Sequence, residues 1–198
     1  MNKSIVKPLG KNVNTYLRKY GRKSPNYDSG CPCCGGKPHK HGHYKRTVVL
    51  KHSEHRIPIY RMKCSVCGIT FSLMPDFLIP YHIYAVGVME STWYQRHIGC
   101  RSFGHIRRGF CGPKLNGPSK RTMKRWLSSW KKNIDRYVPW GIRQLLLYDP
   151  FADLQWTRHT PSVERAAFTL TKRLWRMVYP ESPYPFYGFF PWINQLMK

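Results

Sequence analysis

Residues 31–46, CPCCGGKPHKHGHYKR, and residues 57–81, IPIYRMKCSVCGITFSLMPDFLIPY, decide how the chain is read. Each holds a C-x-x-C turn, Cys31 with Cys34 and Cys64 with Cys67, and each turn runs into a glycine. A C-x-x-C turn lets two thiolates meet one tetrahedral ion, and the glycine relieves crowding where the turn closes. The 29 residues between the pairs, 35–63, include two runs rich in β-branched and aromatic residues, 44–50 and 56–63, joined by the polar KHSEH. Phe71 and Leu73 follow the second pair before Pro75 and Pro80 break the chain. The pattern predicts a small sheet held between two cysteine turns, a zinc ribbon over residues 31–74 with Cys31, Cys34, Cys64 and Cys67 holding one structural Zn2+. Reduced thiols, a redox pair or another metal are the competing readings. Cys33 could replace a ligand or be a spare thiol, and His39, His41, His43, His52 and His55 could also supply ligands.

Working outward, residues 1–30 read as a basic flexible arm with a short helix near Val13 to Tyr20, carrying Arg18, Lys19, Arg22 and Lys23. Beyond His82 the apolar period becomes helical as far as Gly99, and Ser102 to Phe110 forms a second short helix with Arg107 and Arg108. After the break CGPKLNGP, Ser119 is a good N-cap for Lys120 to Tyr137. Met123, Trp126, Leu127, Trp130, Ile134 and Tyr137 form one stripe of that helix, with Lys120, Arg121, Lys124, Arg125, Lys131 and Lys132 largely outside it. The order helix, break, capped basic helix predicts a helix-turn-helix-like domain over 81–138. Pro139 is expected to end it. A further helix, Val163 to Val178, and an aromatic tail, 179–198, make a helical and aromatic extension over 139–198. The expected class is thus small α+β, an N-terminal zinc ribbon followed by a mostly α-helical domain.

Charge narrows the partner. Of 198 residues, 34 are Lys or Arg and nine are Asp or Glu, a net +25. Residues 1–63 carry a net +13, residues 64–140 carry +9 and residues 141–198 only +3. Such a density repels itself unless a polyanion neutralises it, which makes nucleic acid the first partner to test and an anionic membrane surface the second. With the helix-turn-helix candidate the expected partner is duplex DNA, the alternatives being RNA and a protein subunit docked by the aromatic tail. Lys45, Arg46, Arg56, Arg61 and Lys63 on the ribbon strands, with the basic residues of the Ser119 helix, are the expected contacts. The first ten residues lack a secretory apolar core and no run is apolar enough to span a membrane, so the expectation is a cytoplasmic, nucleoid-associated protein with no transmembrane association. Walker A, dinucleotide, HExxH and GxSxG motifs are absent from the sequence, and no enzymatic activity is expected.

The two quoted stretches resemble zinc-ribbon modules of DNA-binding proteins associated with bacterial insertion elements, including transposases and their small accessory proteins. The resemblance covers residues 31–81 and, loosely, the helix with Arg121 and Trp126. It implies the same four cysteine ligands, with Arg61, Lys63 and Phe71 in the ribbon frame, and a role in a mobile element. It does not imply a nuclease. A carboxylate transposase needs three separated acids for two ions, and the late acids here, Asp135, Asp149, Asp153, Glu164 and Glu181, lie in a region too short for that fold.

Overall fold

Alternating β-branched and aromatic residues form a long hairpin in the computed structural model, which describes residues 3–10, 12–112, 115–155, 157 and 162–178. Strand β2 (Pro38–Val49) pairs antiparallel with β3 (Glu54–Cys64), and β3 pairs antiparallel with β4 (Thr70–Pro75). The expected strands are therefore present and extend further toward the cysteines. A fourth strand, β1 (Lys3–Lys7), joins β4 in parallel, giving the order β1-β4-β3-β2. The start of the expected flexible arm is thus part of the sheet. Its sequence, KSIVK, alternates and sets Ile5 opposite Leu73, against the core.

Paired residues share a face, so the sheet has two distinct sides. Tyr60, Met62, Phe71 and Leu73 lie on one side, covered by helix α1 (Val13–Tyr20), which is capped by the Asn12 side chain accepting from the Thr15 amide at 2.9 Å. The Tyr16 hydroxyl donates to the Pro58 carbonyl at 2.6 Å, and the Tyr60 hydroxyl to the Tyr20 carbonyl at 2.7 Å. On the other side, Ile57 and Ile59 are fully buried at the end crossed by residues 76–85. Backbone bonds from the Val49 amide to Ile83 and from the Ala85 amide to Val49 hold that crossing.

The chain divides into two compact units, Met1–Val86 and Gly87–Lys198. The second is helical: α2 (Val86–His97), α3 (Phe103–Arg108), α4 (Lys120–Tyr148) and α5 (Val163–Val178). Its core sets Trp93 edge-on to Trp130, with ring centroids 5.1 Å apart, and joins Ile134, Tyr137 and Leu145 of α4 to Ala167, Phe168, Leu170 and Leu174 of α5. The Tyr137 hydroxyl bonds the Thr171 hydroxyl at 2.9 Å, and burial raises the Tyr137 phenol well above its usual range.

One helix boundary is corrected. Pro139 does not end α4; the helix runs nine residues further, to Tyr148. Pro139 lies on the exposed face, where water can serve the carbonyl one turn earlier that has lost its N–H partner. Gly141 lies where α4 meets α5: a Cβ there would fall 2.6 Å from Leu170 Cδ2. Just past Pro139, where the sequence reads as a stop, the helix makes a close crossing instead. Ser119 does cap α4, its hydroxyl accepting from the Thr122 amide at 3.1 Å. The connection from α3 to α4, residues 109–119, is longer than the three- or four-residue turn of a helix-turn-helix. The aromatic tail, 179–198, lies outside the described residues. Among the described residues, no helix is long and apolar enough to cross a membrane.

Candidate metal centre

Both cysteine turns fold the same way. In the first, the Gly35 amide bonds the Cys31 carbonyl at 2.9 Å and the Cys31 amide bonds Gly36 at 2.8 Å. In the second, the Gly68 amide bonds the Cys64 carbonyl at 3.2 Å and the Cys64 amide bonds Ile69 at 3.0 Å. The residue after each pair, Gly35 at φ 73° and Gly68 at φ 69°, occupies the left-handed region where a side chain would be strained. The turns are tied together by Ser65, whose hydroxyl donates to the Lys37 carbonyl at 2.7 Å. Pro38, the first residue of β2, is paired with Cys64, the last of β3, so the hairpin itself brings the two turns to one end of the sheet.

The four sulfurs of Cys31, Cys34, Cys64 and Cys67 all lie within 4.8 Å of one another. Cys31 and Cys67 are 3.6 Å apart and Cys34 and Cys64 3.5 Å. A tetrahedral zinc with Zn–S near 2.3 Å has sulfur edges of about 3.8 Å, so the cluster fits this ion, whereas a disulfide needs about 2.05 Å. The local electrostatics agree. The backbone amides of Cys67 and then Val66, whose nitrogen lies 3.4 Å from the sulfur, favour the Cys64 thiolate over the opposing effect of burial and hold its pKa at about 6. The amides of Cys34 and then Cys33 lower that of Cys31. Cys67 moves the other way, to about 12: the Ile69 amide favours its thiolate, but burial and the three neighbouring sulfurs oppose it more. Four thiolates this close require a cation, and a divalent ion supplies it.

With four sulfur ligands, the tetrahedron has no position for water, so the ion would contribute folding energy and no hydrolytic chemistry. Cys33 stays outside the group; its amide, rather than its thiol, faces Cys31. No histidine joins the group among the described residues.

The expected nucleic-acid contacts fall into three settings. Lys120, Arg121, Lys124, Arg125 and Lys131 are exposed on α4, opposite the buried Met123, Trp126 and Trp130. Lys45 and Arg56 are exposed on the hairpin, while Lys63 is partly buried opposite Thr70. Arg46 and Arg61 are partly buried and line one cavity of the first unit. Arg46 donates to the carbonyls of Ile79 and His82 and thereby pins residues 76–85 to β2, a structural task that its sequence context does not reveal. Burial lowers its pKa. On α3, Arg107 and Arg108 are also exposed, and the alternation of Ile106 inward with charged neighbours outward is the signal that marks them. Asp149 and Asp153 each accept a backbone amide two residues ahead, at 3.2 and 2.8 Å, as turn-forming carboxylates do.

Residues 31–126, just under half of the chain, match the model of a family described as a domain of unknown function (DUF6431). The matched stretch begins at the first cysteine of the metal centre and ends at Trp126, one residue past Arg125 of α4. No curated protein and no solved structure matches the chain.

Proposed function

We propose that the protein binds duplex DNA as an accessory or regulatory factor of a mobile element, presenting the first turns of α4 to the nucleic acid. The observation that carries this reading is the division of α4: Lys120, Arg121, Lys124 and Arg125 are exposed, Met123 and Trp126 are buried behind them, and no acidic residue occupies the first turn. A rigid helix start with this charge suits phosphate contacts and limited base-edge readout in a major groove. Exposed Arg107 and Arg108 on α3 extend the basic surface within the same unit. On this reading α3 and α4 would act as a helix-turn-helix variant with a lengthened connection. The family match, running from Cys31 to Trp126, supports treating the metal module and the start of α4 as parts of one functional stretch. The resemblance of residues 31–81 to insertion-element ribbons supports the mobile-element role. Cys31, Cys34, Cys64 and Cys67 would hold a zinc ion whose part is to keep the hairpin in register.

The test is competitive binding of duplex DNA, single-stranded DNA and structured RNA over a salt series. Each phosphate contact steepens the dependence of log affinity on log salt by about 0.9. Lys124→Ala combined with Arg125→Ala is expected to weaken duplex binding and flatten that slope by about two. Preference for structured RNA, or equal binding to every polyanion unaffected by the substitutions, contradicts the proposal.

A further inference from the structure

The sheet of the first unit has a face that α1 does not cover. Residues 76–85 cross one end of it, and beside them lies a cavity of about 530 Å³, within the range of small-ligand sites. Its floor is a row across three strands: Ser4 of β1 is paired with Ser72 of β4, which is paired with Arg61 of β3. Two hydroxyls and a guanidinium therefore stand side by side on one face. The Arg61 guanidinium makes no hydrogen bond or ion pair among the described residues. The second arginine, Arg46, is fixed in the wall by the carbonyls of Ile79 and His82. Among the described residues, no acidic side chain lines the cavity.

Its rim is aromatic. Tyr44 on β2 is 40% exposed and Tyr81 is 89% exposed. Tyr81 also has φ 65°, a left-handed conformation that costs a non-glycine residue roughly 1–2 kcal/mol. Ring and guanidinium together match one chemical unit, a planar base joined to a phosphate: every base has a face to stack on tyrosine, and the phosphodiester suits arginine and hydroxyl donors.

We propose that this cavity binds one unpaired nucleotide of a DNA strand, with the base against Tyr44 and Tyr81 and the phosphate on the Arg61–Ser72–Ser4 row. The proposal rests on the nucleic-acid reading above but assigns a different surface and a different substrate form. The metal centre bears on it directly, because Cys64 ends the strand that carries Arg61 and Thr70 begins the strand that carries Ser72. Zinc at the cysteine turns would hold these two strands, and hence the phosphate row, in register.

The experiment measures the affinity of the full-length, zinc-loaded protein for a single-stranded DNA oligonucleotide, a blunt duplex of the same sequence and free adenosine monophosphate. The variants are Arg61→Gln, Tyr81→Ala, Tyr81→Phe and the α4 pair Lys124→Ala with Arg125→Ala. A stacked base is worth roughly five- to a hundredfold in affinity. Arg61→Gln and Tyr81→Ala are expected to weaken single-strand binding about tenfold and Tyr81→Phe to preserve it, and neither Tyr81 variant to change duplex affinity by more than about twofold. The α4 variant is expected to lose duplex binding instead. Single-strand affinity unchanged in both Arg61→Gln and Tyr81→Ala overturns the assignment while leaving the α4 reading intact. Pocket-dependent single-strand binding by a protein with no duplex affinity does the reverse. Arg61-dependent binding of adenosine monophosphate, with single-strand affinity unaffected, overturns the strand assignment in favour of a free nucleotide.

Discussion

The two units fulfil the same requirement, a defined structure under a high positive charge, by opposite means. In Met1–Val86 the sheet end where β2 begins and β3 finishes is closed by four sulfurs within 4.8 Å of one another. In Gly87–Lys198 the basic helix is held by a continuous aromatic and aliphatic interface from Trp93 through Tyr137 to Leu174. A point constraint is strong and fails all at once; a distributed interface weakens by increments. The first unit should therefore respond to chemistry, through metal and pH, and the second to the size of its side chains.

Removing the metal is expected to make the largest difference. Structural zinc contributes roughly 10–16 kcal/mol of apparent binding free energy in small modules, so a strong chelator is expected to abolish amide hydrogen-exchange protection in β2, β3 and β4. The amides of α4 and α5 should keep theirs. Equal loss in both units would mean that they do not differ in this way.

A pH effect of intermediate size also belongs to the first unit. Asp76, just after β4, has its carboxyl pKa raised from 3.8 to about 6 by burial, against the opposing pull of its own amide and that of Phe77. A raised carboxyl pKa favours the protonated folded state, so its contribution is complete below about pH 4 and is lost as pH rises through about 6. Asp76→Asn should remove this loss. Its stability relative to the parent is expected to rise between pH 4 and 7 by roughly 2 kcal/mol, measured by denaturant unfolding at each pH. Because both proteins retain the cysteines, acid release of metal cancels in the comparison. A difference that does not vary with pH would contradict the assignment.

The smallest effect is in the helical unit. Gly141→Ala introduces a Cβ 2.6 Å from Leu170 Cδ2. Overpacking of about 1–3 kcal/mol outweighs the better helix propensity of alanine, about 1 kcal/mol, so a net loss of about 1 kcal/mol is expected, confined to α4 and α5 amides.

How legible each unit was in the sequence follows from the same contrast. The metal centre could be read because its determinants are local: two pairs at fixed spacing, each followed by the glycine that its turn requires. Helix α5, Val163–Val178, was equally plain from its apolar period. What escaped depends on distant partners. Lys3–Lys7 is a strand only because Phe71 to Pro75 lies beside it in parallel, a pairing that five residues near a terminus do not announce. Pro139 carries the signal of a helix end, and only the close approach of Leu170 to Gly141 shows that the helix continues into a packed crossing. Arg46 reads as a surface cation until the carbonyls of Ile79 and His82 are found around it. The cavity was invisible for the same reason, since Ser4, Arg61, Ser72 and Tyr81 come from four separate parts of the chain.

The most direct test of the metal-stapled first unit is zinc stoichiometry by native mass spectrometry on three full-length proteins: the parent, Cys33→Ser and Cys34→Ser. The account predicts one zinc per chain in the parent and in Cys33→Ser, and loss or marked weakening of zinc binding in Cys34→Ser. Zinc lost from Cys33→Ser, or held with undiminished affinity by Cys34→Ser, would contradict the assignment of the four ligands.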